Sequence, residues 1–260
     1  MAGTGSGYDL SVSTFSPDGR VFQVEYAGKA VDNSGLCMAV VCQDGILFAV
    51  EKPKPSPLLL PTCLRRIAAV TETIGIAVAG LAADGRQIVT RARQEAEEYK
   101  KTFGVEISGG VLAERIGLFM HAYSLYWSVR PFGASVLIGA VQQERSEPGA
   151  PLQFKGELYC VETSGCCSKY RATALGKGRP SAKTELEKLN LETLTTKDAL
   201  EALTKIFLVV DDEGSKEGKV EVEVGLIGKD SCGVFKMLPS EEVRAAVKRA
   251  REALDEMDED

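Results

Sequence analysis

Apolar residues recur along this chain with two different periods, and the switches between them mark out its elements. Residues 36–42 and 46–51 are apolar runs of strand length on either side of Gln43-Asp44-Gly45, a hairpin signal, and both read as buried strands. Residues 67–70 and 74–79 repeat the arrangement around Thr71-Glu72-Thr73. Over 81–103 the period becomes helical, with Ile88, Val89, Ala92, Ala96 and Tyr99 on one face and Arg91, Arg93, Glu97, Glu98 and Lys101 on the others. A second helix is predicted over 111–127, with Leu112, Ile116, Phe119, Met120 and Tyr123 inward, and Arg130-Pro131-Phe132-Gly133 breaks it.

Strands follow at 134–141, 157–163 and 166–175, then helices at 182–189 and 196–210, the latter opened by Thr195 and Asp198 at capping-box spacing. Val220, Val222, Val224 and Leu226 alternate with charged residues, which predicts a strand with one wet face. Residues 234–238 can pair with it. Ser240 can cap a last helix lined by Val243, Val247, Ala250 and Leu254. Hairpins and helix pairs in this order predict an α+β domain of antiparallel sheets covered by helices.

The stretch from 8 to 31 stands apart. Ser16-Pro17-Asp18-Gly19 has tight-turn chemistry, and a short helix is predicted at 20–31 with Val21, Val24, Ala27 and Val31 along one stripe, flanked by Phe22, Tyr26 and Ala30. So short a helix is marginal alone and needs a larger body or a neighbouring chain to pack on. Residues 1–7, MAGTGSG, offer nothing to bury and are expected to be mobile. The run from Lys52 to Pro61 contains four prolines and reads as a loop.

Composition narrows the function classes. The chain has 260 residues, 44% hydrophobic and 26% charged, the balance of an ordinary globular chain. A net charge of -6 argues against a generic nucleic-acid grip, which needs a basic surface. No apolar run approaches the roughly 20 residues of a membrane helix, and the start lacks the pattern of a secretion signal, so a cytoplasmic or nuclear protein is expected. Seven scattered cysteines with no CxxC pair, and a single histidine, His121, predict reduced thiols and neither disulfides, metal nor cofactor.

Tyr8-Asp9, then Phe15-Ser16-Pro17-Asp18-Gly19-Arg20, then Gln23-Val24-Glu25-Tyr26-Ala27 resemble the N-terminal signature of proteasome alpha-type subunits. Leu10, where most of that family has arginine, and the acidic end make the chain more similar to the alpha-type-3 class than to the others. The resemblance continues through residues 80–86, His121-Ala122-Tyr123, Val129 to Gly133 and residues 174–182, and departs from the family pattern at 53–65. It implies the four-layer αββα sandwich of N-terminal-nucleophile hydrolases. It also implies three parts: a gate segment at 1–7, an alpha-subunit domain at 8–251 and an acidic tail at 252–260, where six of nine residues are acidic.

A hydrolase of that fold uses a free N-terminal Thr, Ser or Cys. Here Gly35-Leu36 stand where catalytic relatives carry the nucleophile, so the resemblance implies a non-catalytic member of the alpha ring. It would sit in a heteroheptameric ring with other alpha subunits, stacked on beta-ring subunits. Its N-terminus would help close the pore that unfolded polypeptides enter. The regulatory particle or other activators would dock on it in ubiquitin-dependent and other intracellular protein degradation. Tyr8, Asp9, Pro17 and Tyr26 resemble the family's gate cluster, and Arg66 occupies the place of a lysine that receives activator carboxylates.

Three of these residues have a plainer reading. Tyr8 and Tyr26 are also ordinary packing residues, and Arg66 is also a surface arginine flanking a strand. Two rival functions remain open: a processed hydrolase acting through Cys37, and a free-standing binding module. Lys177-Gly178-Arg179 lacks the frame of a phosphate loop. His121 reads as a packed or hydrogen-bonded histidine, and the acidic end as a solvated tail or a partner contact.

Overall fold

A computed structural model describes residues 7–52, 58, 60, 63, 65–144, 153–212 and 221–258. The expected gate segment up to residue 6, most of the proline loop and the span 145–152 lie outside the described residues. The chain opens with helix α1 (Phe22–Asp32), followed by strands β1 (Cys37–Cys42), β2 (Gly45–Glu51), β3 (Ile67–Ala69) and β4 (Ile74–Gly80). Helices α2 (Ala82–Phe103) and α3 (Gly109–Ala122) come next, then β5 (Ala134–Glu144), β6 (Gln153–Val161), β7 (Cys167–Tyr170) and β8 (Ala172–Leu175). The remainder is α4 (Arg179–Glu187), α5 (Thr196–Asp212), β9 (Val222–Gly228), β10 (Lys236–Met237) and α6 (Ser240–Asp258).

Among the described residues the strands form two five-stranded antiparallel sheets, ordered β10-β9-β2-β1-β8 and β3-β4-β5-β6-β7. Their side chains sort into three apolar layers, which explains why the strand runs are continuously apolar instead of alternating. Cys37, Ala39, Ile46, Phe48 and Val50 point between the sheets, where they meet Ala77, Leu137 and Leu158. Met38, Val40, Leu47 and Ala49, one residue out of phase, face α5 and α6 through Leu203, Phe207, Val243 and Ala246. Ile76, Val78, Val136 and Ile138 face α2 and α3 through Ile88, Ala92, Leu112 and Ile116. The order helix, sheet, sheet, helix is the predicted sandwich.

The sheets approach closely where glycine permits it. A Cβ at Gly139 would stand 2.4 Å from the Phe48 ring, so this glycine makes the socket into which Phe48 projects.

Three elements differ from the sequence reading. The predicted strand 166–175 is two strands in different sheets: β7 pairs with β6, β8 pairs with β1, and the chain crosses at Arg171, whose carbonyl accepts from Val41 N–H at 2.8 Å. Helix α3 starts earlier than predicted, at a Ser108 cap that accepts from Val111 N–H, and ends at Ala122 instead of 127. Its end is tightened by i to i+3 bonds from Tyr123 N–H to Met120 O and from Ser124 N–H to His121 O. Strand β9 has no wet face, because the second sheet covers it: Glu223 is 7% exposed and accepts from Arg66 N–H at 3.1 Å.

Helix α6 runs on to Asp258, so most of the acidic end is helical. At the other hairpin the Asp44 carboxylate accepts from Thr196 N–H and Oγ1 at 2.8 and 2.9 Å, tying α5 to the β1–β2 turn.

Candidate functional site

Three places carry the chemistry that the sequence singles out: the lead into α1, the start of β1, and the groove beside Arg66. In the lead, the turn forms as its residues dictate. Gly19 N–H bonds Ser16 O at 2.9 Å, Arg20 N–H bonds Ser16 Oγ at 3.0 Å, and Gly19 takes a left-handed φ of 74° that suits glycine. Helix α1 buries Phe22, Ala27 and Val31, so its inner face is rotated toward Phe22, with Val21 and Val24 only partly covered.

The Tyr26 hydroxyl donates to Asp9 Oδ2 at 3.3 Å, and the Gln23 side-chain amide donates to the Asp9 carbonyl. Desolvation and the Asp9 carboxylate raise the Tyr26 pKa, which keeps the phenol a proton donor. Two of the four residues expected to form the gate cluster are thus brought together, across 17 positions of sequence. Pro17 is exposed in the turn that aims the lead. Tyr8 is exposed, with no hydrogen bond or ring contact to the other three among the described residues.

Gln23 lies within the signature, but sequence reasoning gave it no role. The Arg20–Glu25 pair was missed as well: Arg20 Nε donates to Glu25 Oε1 at 2.7 Å, Nη2 bonds Oε2, and the guanidinium lies over the Phe22 ring at 4.9 Å. Opposite charges five apart across a helix start were the available signal.

At the start of β1 the backbone is tied to its neighbours by several bonds. Leu36 N–H donates to Glu51 Oε2 at 2.9 Å, Glu51 N–H to Leu36 O at 2.8 Å, and Lys177 N–H to Ser34 O at 2.8 Å. Ser34 Oγ donates to Val31 O at 2.7 Å and accepts from Gly80 N–H at 2.9 Å. Cys37 is wholly buried, and burial pushes its thiol up to about 12, the opposite of what an activated nucleophile needs. His121 is hydrogen-bonded, with Nδ1 3.1 Å from both Ser164 O and Ser124 Oγ. Among the described residues no group of three or more His, Cys, Asp or Glu side chains could hold a metal, and no helix is long and apolar enough to cross a membrane.

Arg66 lies just before edge strand β3, on a groove of 590 Å³ between β3 and α2. Ile67, Val78, Val89 and Met237 give the groove apolar walls, and Arg65, Arg86 and Arg93 add positive charge. Arg93 Nε donates to Ala69 O at 2.9 Å, while Arg66 Nη1 is buried and, among the described residues, without a hydrogen-bond partner. A guanidinium in the lining of an apolar groove suits an incoming carboxylate. Glu223, which holds the Arg66 backbone, gave no sequence signal because its strand alternates as if solvated.

A family model described as "Proteasome subunit" matches residues 31–225, and a second, for the N-terminal signature of A-type proteasome subunits, matches residues 8–30. The chain is 47% identical over 260 residues to "Proteasome subunit alpha type-3" of Oryza sativa subsp. japonica and 45% identical to the protein of the same name in Arabidopsis thaliana, covering each at full length. It is 39% identical to "Probable proteasome subunit alpha type-7" of Saccharomyces cerevisiae, over 98% of this chain and 86% of the yeast protein. The chain belongs to the proteasome subunit family, as a non-catalytic alpha-type ring member of the 20S core particle.

Proposed function

We propose that this chain helps control substrate entry through the alpha ring and offers one docking groove to activators of the particle. The observation that carries the reading is the bond from Tyr26 to Asp9, together with that from Gln23 to the Asp9 carbonyl, which roots the lead on α1 at two points. A phenol donating to a carboxylate is charge-assisted yet, on an exposed surface, weak enough to be exchanged for another arrangement. The Gly-rich residues 1–7 then act as the gate segment, residues 8–251 as the body and 252–260 as the acidic end. Leu10, 87% exposed and unable to make an arginine's bonds, gives this lead one gate contact fewer than most of the family.

The ring is heteroheptameric and stacked on beta subunits, in the cytoplasm and nucleus, and unfolded polypeptides pass its pore in ubiquitin-dependent and other intracellular protein degradation. Arg66 receives the C-terminal carboxylate of the regulatory particle or another activator. Its place in the lining of the groove beside Arg65, Arg86 and Arg93 supports this over a purely surface role.

The test is made in the assembled particle, with hydrolysis of a short fluorogenic peptide as readout. Deleting residues 1–7 is expected to raise the basal rate. Arg66→Ala is expected to lower activator-stimulated hydrolysis while leaving the basal rate and assembly intact. Unchanged rates in both variants would sink the gating and docking reading without touching family membership.

A further inference from the structure

The lead before α1 is fastened to the helix at two ends. At its far end the Asp9 carboxylate and carbonyl accept from Tyr26 and Gln23. At its near end the turn shuts on itself, with Ser16 N–H bonded to Arg20 O at 2.9 Å and Arg20 N–H to Ser16 Oγ at 3.0 Å. Between that turn and the first helical residue stands Val21 alone, which gives the helix start no side-chain cap. An uncapped start leaves the angle between turn and helix soft, because no side chain ties the first backbone donors to the residues before them.

Arg20 spans this joint. Its Nε donates to Glu25 Oε1 at 2.7 Å and its Nη2 to Oε2, so one guanidinium takes both carboxylate oxygens. A paired arrangement of this kind fixes orientation as well as distance. The bond from Arg20 holds the Glu25 carboxyl below the usual carboxylate range, which keeps the pair ionised at neutral pH. The same guanidinium lies 4.9 Å from the centre of the buried Phe22 ring. Phe22 stacks in turn on Tyr26, with 6.2 Å between ring centres and 30° between planes, and Lys29 lies 5.4 Å from the Tyr26 ring. The stack thus runs from the turn to the tyrosine that holds Asp9.

We propose that Arg20 is the positioning residue of the lead: clamped between Glu25 and Phe22, it sets the angle at which residues 9–20 leave α1 and so brings Asp9 to Tyr26. Fixing one end of a short loop removes part of the entropy cost of closing the other. Arg20 is therefore felt at Asp9, although among the described residues it bonds neither Asp9 nor Tyr26. The functional consequence rests on the gating reading above, since a lead freed at Arg20 no longer holds residues 1–7 at the entrance.

The test is made in the assembled core particle with Arg20→Ala and, as a second variant that keeps the shape of the side chain, Glu25→Gln. Amide exchange over residues 9–20, read by mass spectrometry, is expected to speed up about two- to fivefold in each, the scale of one exposed paired bond, with β1 and β2 unchanged. The double variant is expected to exchange no faster than the quicker single one, because the two groups act as a unit. Basal hydrolysis of the fluorogenic peptide is expected to rise in all three.

Unchanged exchange in Arg20→Ala, effects that multiply in the double variant, or acceleration that spreads into β1 would each overturn the positioning role. So would an unchanged basal rate in a particle whose rate the deletion of residues 1–7 raises. If that deletion itself changes nothing, the gating reading fails, and the exchange results still decide whether Arg20 positions the lead.

Discussion

The hairpin of β1 and β2 and the lead before α1 lie within the first 51 residues, yet they are held by opposite means. The hairpin is buried on both faces, with Met38, Ile46 and Phe48 wholly enclosed between layers. The lead is held by a turn, a few side-chain hydrogen bonds and an exposed Arg20–Glu25 pair, and it leaves Leu10 and Phe15 in water. Burial of large side chains fixes a single arrangement, whereas exposed polar contacts leave one that can be exchanged. A ring member that controls entry, as proposed above, needs both, and this chain separates them.

The largest break in that comparison comes from the hairpin. Phe48→Ala empties the socket formed against Gly139 and is expected to cost about 3–5 kcal/mol of unfolding free energy by chemical denaturation, enough to leave the chain marginal. A loss near that of a surface substitution would mean that the layer between the sheets is not close-packed.

Next comes the junction between α2 and the loop that leads into β5. Asp84 accepts two bonds from Arg130 and a third from Gly133 N–H at 2.8 Å, and Asp84→Ala is expected to cost about 1–3 kcal/mol through the unpaired backbone donor. The hydrogen bond from Arg130, then that from Gly133, hold the Asp84 carboxyl below the usual carboxylate range. Its contribution is therefore full above that range and is lost as pH falls through the depressed folded value. Acid unfolding of Asp84→Asn should accordingly show a shallower dependence over that window, and an unchanged acid limb would contradict the assignment.

The smallest effect, and the sharpest contrast, is Tyr26→Phe. Its global stability should match the unsubstituted chain, while amide exchange at residues 9–12 speeds up as the lead loses one of its two roots. Faster exchange in β1 as well would show that lead and hairpin are one cooperative unit.

Periodicity made most of the elements legible, since runs such as 36–42 and 81–103 bury faces that their own spacing defines. What it could not carry was tertiary. The crossing at Arg171 depends on which sheet receives each half of one apolar run, and nothing local in Cys167 to Leu175 distinguishes them. Alternation around Glu223 implies a wet face, and only the covering sheet removes it. At the candidate site, Asp9 and Tyr26 are too far apart for any local pattern to join them, and they came from the resemblance. Tyr8 came from the same resemblance and stands apart from them within this chain. Trp127 falls inside the helix that periodicity predicts, and that helix ends five residues earlier, which concealed the turns that follow it.

The central claim, that this chain works as an intact, non-catalytic member of a large ring, is tested most directly by native mass spectrometry. The protein is gently isolated from its own cells through a C-terminal tag, and the subunit masses are read after dissociation. The account predicts a very large particle with several partners of similar size and this chain uncut before Cys37. A monomer, a small homo-oligomer or a mature chain beginning at Cys37 would contradict it.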